Sequence, residues 1–149
     1  MKNSITAIIT LLSVLLFACG NENTTGGNGS LVLSSAQPRF AYVADAEDNS
    51  VSTYVVDTTT GRIKYIGKVA AGTGPRSITV APSGKFAYVG NYYSNNVSQY
   101  SINADGSLAA ITTAVAAGTG PSSVAVDPTG KYAYTANYAS NDVSQYAIK

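Results

Sequence analysis

Histidine and tryptophan are absent from this 149-residue sequence, cysteine and methionine occur once each, and charged residues make up only 11% of it. The lack of histidine removes the commonest general base and the commonest metal ligand together. A single cysteine leaves no partner for an intrachain disulfide. Nine basic against eight acidic residues give a net charge of +1, too little to form an electrostatic footprint for nucleic acid. No cofactor, no metal site and no nucleic-acid partner are therefore expected. What is abundant is Tyr, Val, Thr, Ser, Asn and Gly, the composition of strands and tight turns, and no window carries a helical period. The expected class is all-β.

The chain opens with Lys2, continues through the apolar run Ile5 to Phe17, and reaches small Ala18 and then Cys19. That is the layout of an export signal, and the run is too short for a membrane-spanning helix, which needs about 20 apolar residues. Leu16-Phe17-Ala18-Cys19 resembles the lipobox of bacterial lipoproteins, departing from it at Phe17. The resemblance implies a signal peptide over residues 1–18, a diacylglyceryl group on the Cys19 sulfur, and an anchor in the cell envelope. Gly20 follows Cys19 where inner-membrane lipoproteins carry Asp, which implies an outer-membrane or surface destination. Residues 21–30 hold nothing apolar to offset ordering entropy, so residues 19–38 read as a tether. Within it, Leu31-Val32-Leu33 has the makings of one extra strand.

Everything after the tether follows a 46-residue period. Phe40-Ala41-Tyr42-Val43 recurs as Phe86-Ala87-Tyr88-Val89 and as Tyr132-Ala133-Tyr134-Thr135. Gly72-Thr73-Gly74-Pro75 matches Gly118-Thr119-Gly120-Pro121, Pro82-Ser83-Gly84-Lys85 matches Pro128-Thr129-Gly130-Lys131, and Val97-Ser98-Gln99-Tyr100 matches Val143-Ser144-Gln145-Tyr146. The period suits a propeller blade. Each repeat reads as four short strands, in the second copy Ser77–Ala81, Phe86–Gly90, Val97–Ile102 and Leu108–Val115. A lone meander cannot bury both faces, so such units must stack side by side.

These landmarks, with Tyr88-Val89-Gly90-Asn91 and its copies at Tyr42 and Tyr134, resemble the YVTN-type repeats of the lactonase-like seven-bladed propeller family. The resemblance covers residues 39–149, divided as 39–85, 86–131 and a partial 132–149, about two and a half blades. A closed ring needs 4 to 8 blades. The expectation is an incomplete propeller: a shortened copy of a longer gene, an open stack, or a chain that associates with itself to complete the ring.

In this architecture the connectors at 72–76 and 118–121 emerge beside the loops that join second to third strands. The candidate ligand-facing residues are Arg76, Asn91, Tyr92, Tyr93, Asn137 and Tyr138. Arg76 suits a carboxylate or phosphate, since a guanidinium binds such groups bidentately, and loop tyrosines can stack on a sugar or a protein partner. Gluconolactonase-like members of the family carry His directly after this Arg. Here the position is Ser77, so the base that would activate water for lactone opening is missing and no catalytic residue is assigned. Asp45, Glu47 and Asp48 fit no calcium-loop spacing and read as a solvated acidic turn. The Gly-Thr-Gly-Pro segments precede no helix and read as blade connectors rather than phosphate loops. The function expected is an anchored binding or scaffold module for a protein or glycan, with lactone hydrolysis, or a non-catalytic fragment of a lactonase, as the alternative.

Overall fold

The computed structural model describes residues 14–17, 39–111 and 113–149. Among them there are strands and turns and no helix, and all strand pairs are antiparallel. The first sheet is β1 (Val14–Phe17), β2 (Arg39–Asp45), β3 (Ser50–Val56) and β4 (Ile63–Ala70), in that spatial order. The second is β5 (Pro75–Val80), β6 (Phe86–Asn91), β7 (Asn96–Ile102) and an outer strand in two pieces, β8 (Leu108–Ala110) and β9 (Val115–Ala116), both paired with β7. The third has β10 (Pro121–Val126), β11 (Tyr132–Asn137) and β12 (Asp142–Ala147). These are two four-stranded blades and a three-stranded one, an incomplete propeller whose sheets divide at the connectors 71–74 and 117–120.

Local chemistry explains the meanders. Between β5 and β6, Pro82-Ser83-Gly84 turns the chain with Gly84 at φ 68°, and its N–H donates to the Ala81 carbonyl at 2.8 Å. Alternating β-branched and aromatic side chains then suit a pleated surface buried on both faces. Between the first two sheets lie Tyr42 and Val51 on one side and Ile78, Val80, Val89 and Tyr100 on the other. A second core, Tyr88 and Val97 against Val124, joins the second and third. Val51 and Val89 are fully buried, and each such side chain contributes about 1.5–3 kcal/mol.

Hydrogen bonds staple the blades in the same period. The Tyr100 hydroxyl donates to the Ala70 carbonyl at 2.8 Å and the Tyr146 hydroxyl to the Ala116 carbonyl at 2.9 Å. Val124 N–H donates to Ser77 Oγ at 3.1 Å.

Two elements differ from the sequence reading. The fourth strand of the second blade, expected to run unbroken over Leu108–Val115, is interrupted: β7 pairs Tyr100 with Ala110 but Val97 with Val115, so two extra residues must loop out between β8 and β9. The other concerns residues assigned to the export leader. The backbone of Val14–Phe17 forms β1 beside β2, in the innermost position that β5 and β10 hold elsewhere, with Val14 opposite Val43 as Ile78 is opposite Val89. An apolar run takes up strand geometry where an open edge offers it backbone partners. Cys19 and Leu31-Val32-Leu33 lie outside the described residues.

Candidate functional site at the connector face

Each connector is zipped to the loop between the second and third strands of its own blade. Tyr92 N–H donates to the Gly74 carbonyl at 2.8 Å and Tyr93 N–H to the Thr73 carbonyl at 3.1 Å; Tyr138 and Ala139 repeat this on Gly120 and Thr119 at 2.9 and 3.1 Å. Connector N–H groups are occupied too. Gly72 donates to Asn91 Oδ1 at 3.2 Å, Thr73 to Ser94 Oγ at 3.0 Å, and Gly74 reaches back to Asn49 Oδ1 of the preceding blade at 2.7 Å. With its amides committed in this way the connector presents no anion-binding concavity, which is a stronger reason than the missing helix to read it as structural.

Asn91 and Asn137, expected to face a ligand, are instead buried beneath the connectors at 0% and 2% exposure. The Asn91 amide donates to Asn96 Oδ1 and Ser98 Oγ at 2.8 and 2.9 Å, and Asn137 donates to Asp142 Oδ1 and Ser144 Oγ at 2.7 and 2.9 Å. A buried amide in a short loop is worth more as a cross-brace than as a recognition group, because leaving its partners unsatisfied costs about 1–3 kcal/mol. Of the two amide oxygens, that of Asn137 is left without a partner among the described residues, since Gly118 N–H goes to Ser144 Oγ at 3.0 Å. Asp45 fills the matching position in the first blade and accepts from Ser52 at 2.6 Å. Asp48 pairs with Lys68 at 3.4 Å on the surface, and Asp45, Glu47 and Asp48 form no metal-binding cluster among the described residues.

Arg76, Tyr92 and Tyr93 come together. The pairing of β5 with β6 shifts register between Pro75 and Ser77, which makes Arg76 the extra residue of a β-bulge. Bulges re-aim a side chain, and here the guanidinium carbon lies 3.6 Å from the centroid of the Tyr92 ring and 5.8 Å from that of Tyr93. The two tyrosines meet edge to face at 5.1 Å. Tyr92 also lies against Gly120 of the next connector, and Tyr93 covers Gly74 so closely that any side chain there would overlap its ring. The cluster therefore bridges two connectors, while Arg76 and Tyr93 remain exposed. Cation–π contact of this kind holds a guanidinium's plane against the ring. Tyr138 is exposed in the next loop at 71%, but its blade carries Ser122 at the bulge and Ala139 in place of Tyr93, so no second cluster forms.

Asn49 and Asn95 were not singled out in the sequence. Both adopt left-handed backbone, φ 52° and 56°, and each accepts an N–H from the next blade's connector, Asn95 from Gly120 at 2.9 Å. Their recurrence with Asn141 at the repeat spacing was the available signal.

The stacked meanders, connectors and inter-blade staples define a β-propeller protein. The chain belongs to the lactonase seven-bladed β-propeller family, whose model matches residues 10–118 and again 95–149. Among solved structures it resembles a protein from Lactobacillus plantarum (24% identity, TM-score 0.70, 76% of this chain and 35% of that one). It also resembles a candidate 6-phosphogluconolactonase from Bacteroides fragilis (24%, TM-score 0.69, 78% and 33%). The periplasmic gluconolactonase of Pseudomonas aeruginosa is similar as well (20%, TM-score 0.68, 78% and 34%). This chain thus spans about a third of the length of these structures. No curated protein is matched.

Proposed function

We propose that this protein is an exported, lipid-anchored binding module of the lactonase-propeller family, and that Arg76, Tyr92 and Tyr93 recognise a small ligand bearing both a carboxylate or phosphate and a ring face, the sugar-acid class. The observation that carries this reading is the bulge-directed Arg76 guanidinium stacked on Tyr92 at the connector face. An anion attracted by the Arg76 charge and a pyranose or furanose ring on exposed Tyr93 would use both groups together. Cys19 is the proposed point of lipid attachment, in the outer membrane or at the surface.

Family membership favours a second reading, lactone ring opening. Attack of water on the lactone carbonyl calls for a general base near the bound ester. Ser77, which follows Arg76, is buried and its Oγ accepts the Val124 N–H, so that position serves the inter-blade contact. Binding is accordingly placed ahead of turnover.

Calorimetric titration with gluconate tests the reading. Saturable binding is expected, weakened about tenfold in Arg76→Ala, the loss of one charge-assisted hydrogen-bonding group. Equal affinity in the variant, or no binding by the parent chain, would remove the proposal. Opening of gluconolactone above the buffer rate, abolished in Arg76→Ala, would install the second reading instead. Fatty-acid labelling of expressing cells is expected to mark the chain and to vanish in Cys19→Ser; labelling that persists would refute the anchor.

A further inference from the structure

The near-neutral total of nine basic and eight acidic residues hides a sorting of charge between the two ends of the sheets. Strand directions set the turns before β6 and β11, and those that lead into β4 and β8, at the face opposite the connectors. Arg39, Lys85 and Lys131 stand there, a basic residue at the same place in each repeat, and Arg62 and Lys64 join them where β4 begins. All five are exposed, and none takes part in an ion pair among the described residues. The carboxylates of this face are turned into their own turns. Asp57 accepts the Thr59 and Thr60 N–H groups at 2.8 and 3.0 Å, Asp105 that of Ser107 at 2.9 Å, and Asp127 those of Lys131 and Tyr132 at 2.8 Å each. Turn N–H dipoles thus offset these negative charges, while the basic side chains stand in solvent. The connector face has the opposite balance, with Asp45, Glu47, Asp48 and Asp142 against Lys68 and Arg76.

We propose that the basic face lies on an anionic lipid surface and holds the connector face away from it. The occupant follows from where the chain is held, because the segment that begins at Cys19 enters the described sheets at Arg39, on this face. This orientation rests on the lipid anchor at Cys19; the sorting of charge does not. An acyl anchor and a basic patch act together, since one signal alone gives only reversible attachment. Each exposed Lys or Arg near a negative surface strengthens binding about fivefold, and the acidic connector face is repelled by the same field. The cluster of Arg76, Tyr92 and Tyr93 then faces outward, open to a soluble ligand.

The unlipidated Cys19→Ser chain of 149 residues, sedimented with phosphatidylcholine vesicles with and without phosphatidylglycerol, tests the face apart from the anchor. Stronger partition onto the phosphatidylglycerol vesicles is expected, and it should be lost at about 1 M salt, where charges are screened beyond about 3 Å. Lys85→Gln should weaken that partition about fivefold and Lys85→Glu further, whereas Lys68→Glu, the same change in charge on the connector face, should not weaken it. Vesicle binding with no fatty-acid labelling of the parent chain would remove the anchor and leave the face standing. Equal partition onto both kinds of vesicle would overturn the proposal, as would equal losses in Lys85→Glu and Lys68→Glu, which would make net charge the cause. So would release from the vesicles by duplex DNA at matched phosphate concentration, the mark of a general polyanion site.

Discussion

The second and third blades carry the same landmarks in the same register, yet their corresponding side chains meet different surroundings. Tyr88 is 7% exposed and Val97 4%, whereas Tyr134 is 38% exposed and Val143 65%. Nothing in the strands themselves explains this. The second blade has a neighbour on that face, and the third has none among the described residues. Burial in a stacked array thus belongs to the interface between units rather than to the unit. The sharpest way to break the comparison is to truncate one tyrosine at two repeat positions. Tyr42, at 1% exposure and hydrogen-bonded to Gly106, should cost about 3–5 kcal/mol as Tyr42→Ala, while Tyr134→Ala should cost below about 1. Urea unfolding measures both, and equal losses would mean that the third blade's face is covered.

A second test uses the ionisation of the same residue. Burial, reinforced by the Asp105 carboxylate, pushes the Tyr42 hydroxyl up to about 12 from its ordinary 10.0. The neutral phenol is thereby favoured in the folded chain. Its contribution is fully present below pH 10, the unfolded value, and is lost as pH rises through about 12. The window is worth on the order of 2 kcal/mol. Stability measured across it should fall in the parent chain, with that part of the fall missing in Tyr42→Phe; an unchanged alkaline slope would show that Tyr42 is not desolvated by its neighbour.

The repeat made most of the fold legible. Strand identities, the turns at Pro82 and Pro128, the incomplete blade and the family all follow from periodicity, because alternation and turn chemistry are local. Less legible were features that exist only once strands are paired. The bulge that turns Arg76 onto Tyr92 arises from the register of β5 against β6, and the two residues looped out after β8 arise from that of β7. Sequence placed Arg76, Tyr92 and Tyr93 at one end of the sheets, and the structure brings them into contact. It also grouped Asn91 and Asn137 with them, since a polar residue at a strand end looks the same whether it faces solvent or braces a loop. Only the fold distinguishes the two, by setting Gly72 N–H against Asn91 Oδ1.

The smallest expected effect makes the finest comparison, because it varies one group in one conformation. Asn49, Asn95 and Asn141 all hold left-handed backbone, φ 52°, 56° and 56°. The first two accept an N–H from the following connector, while Asn141 has no such partner among the described residues. Glycine keeps this φ without strain and adds a similar chain-entropy cost at every site, so that cost cancels between variants and the hydrogen bond is left. In Asn95→Gly the buried Gly120 N–H loses its acceptor, and chemical denaturation should show a loss about 1–2 kcal/mol greater than in Asn141→Gly. Asn49→Gly should follow Asn95→Gly through Gly74. If all three variants lost the same stability, the asparagines would be present for their backbone conformation alone, and the inter-blade bonds would contribute nothing measurable to the stack.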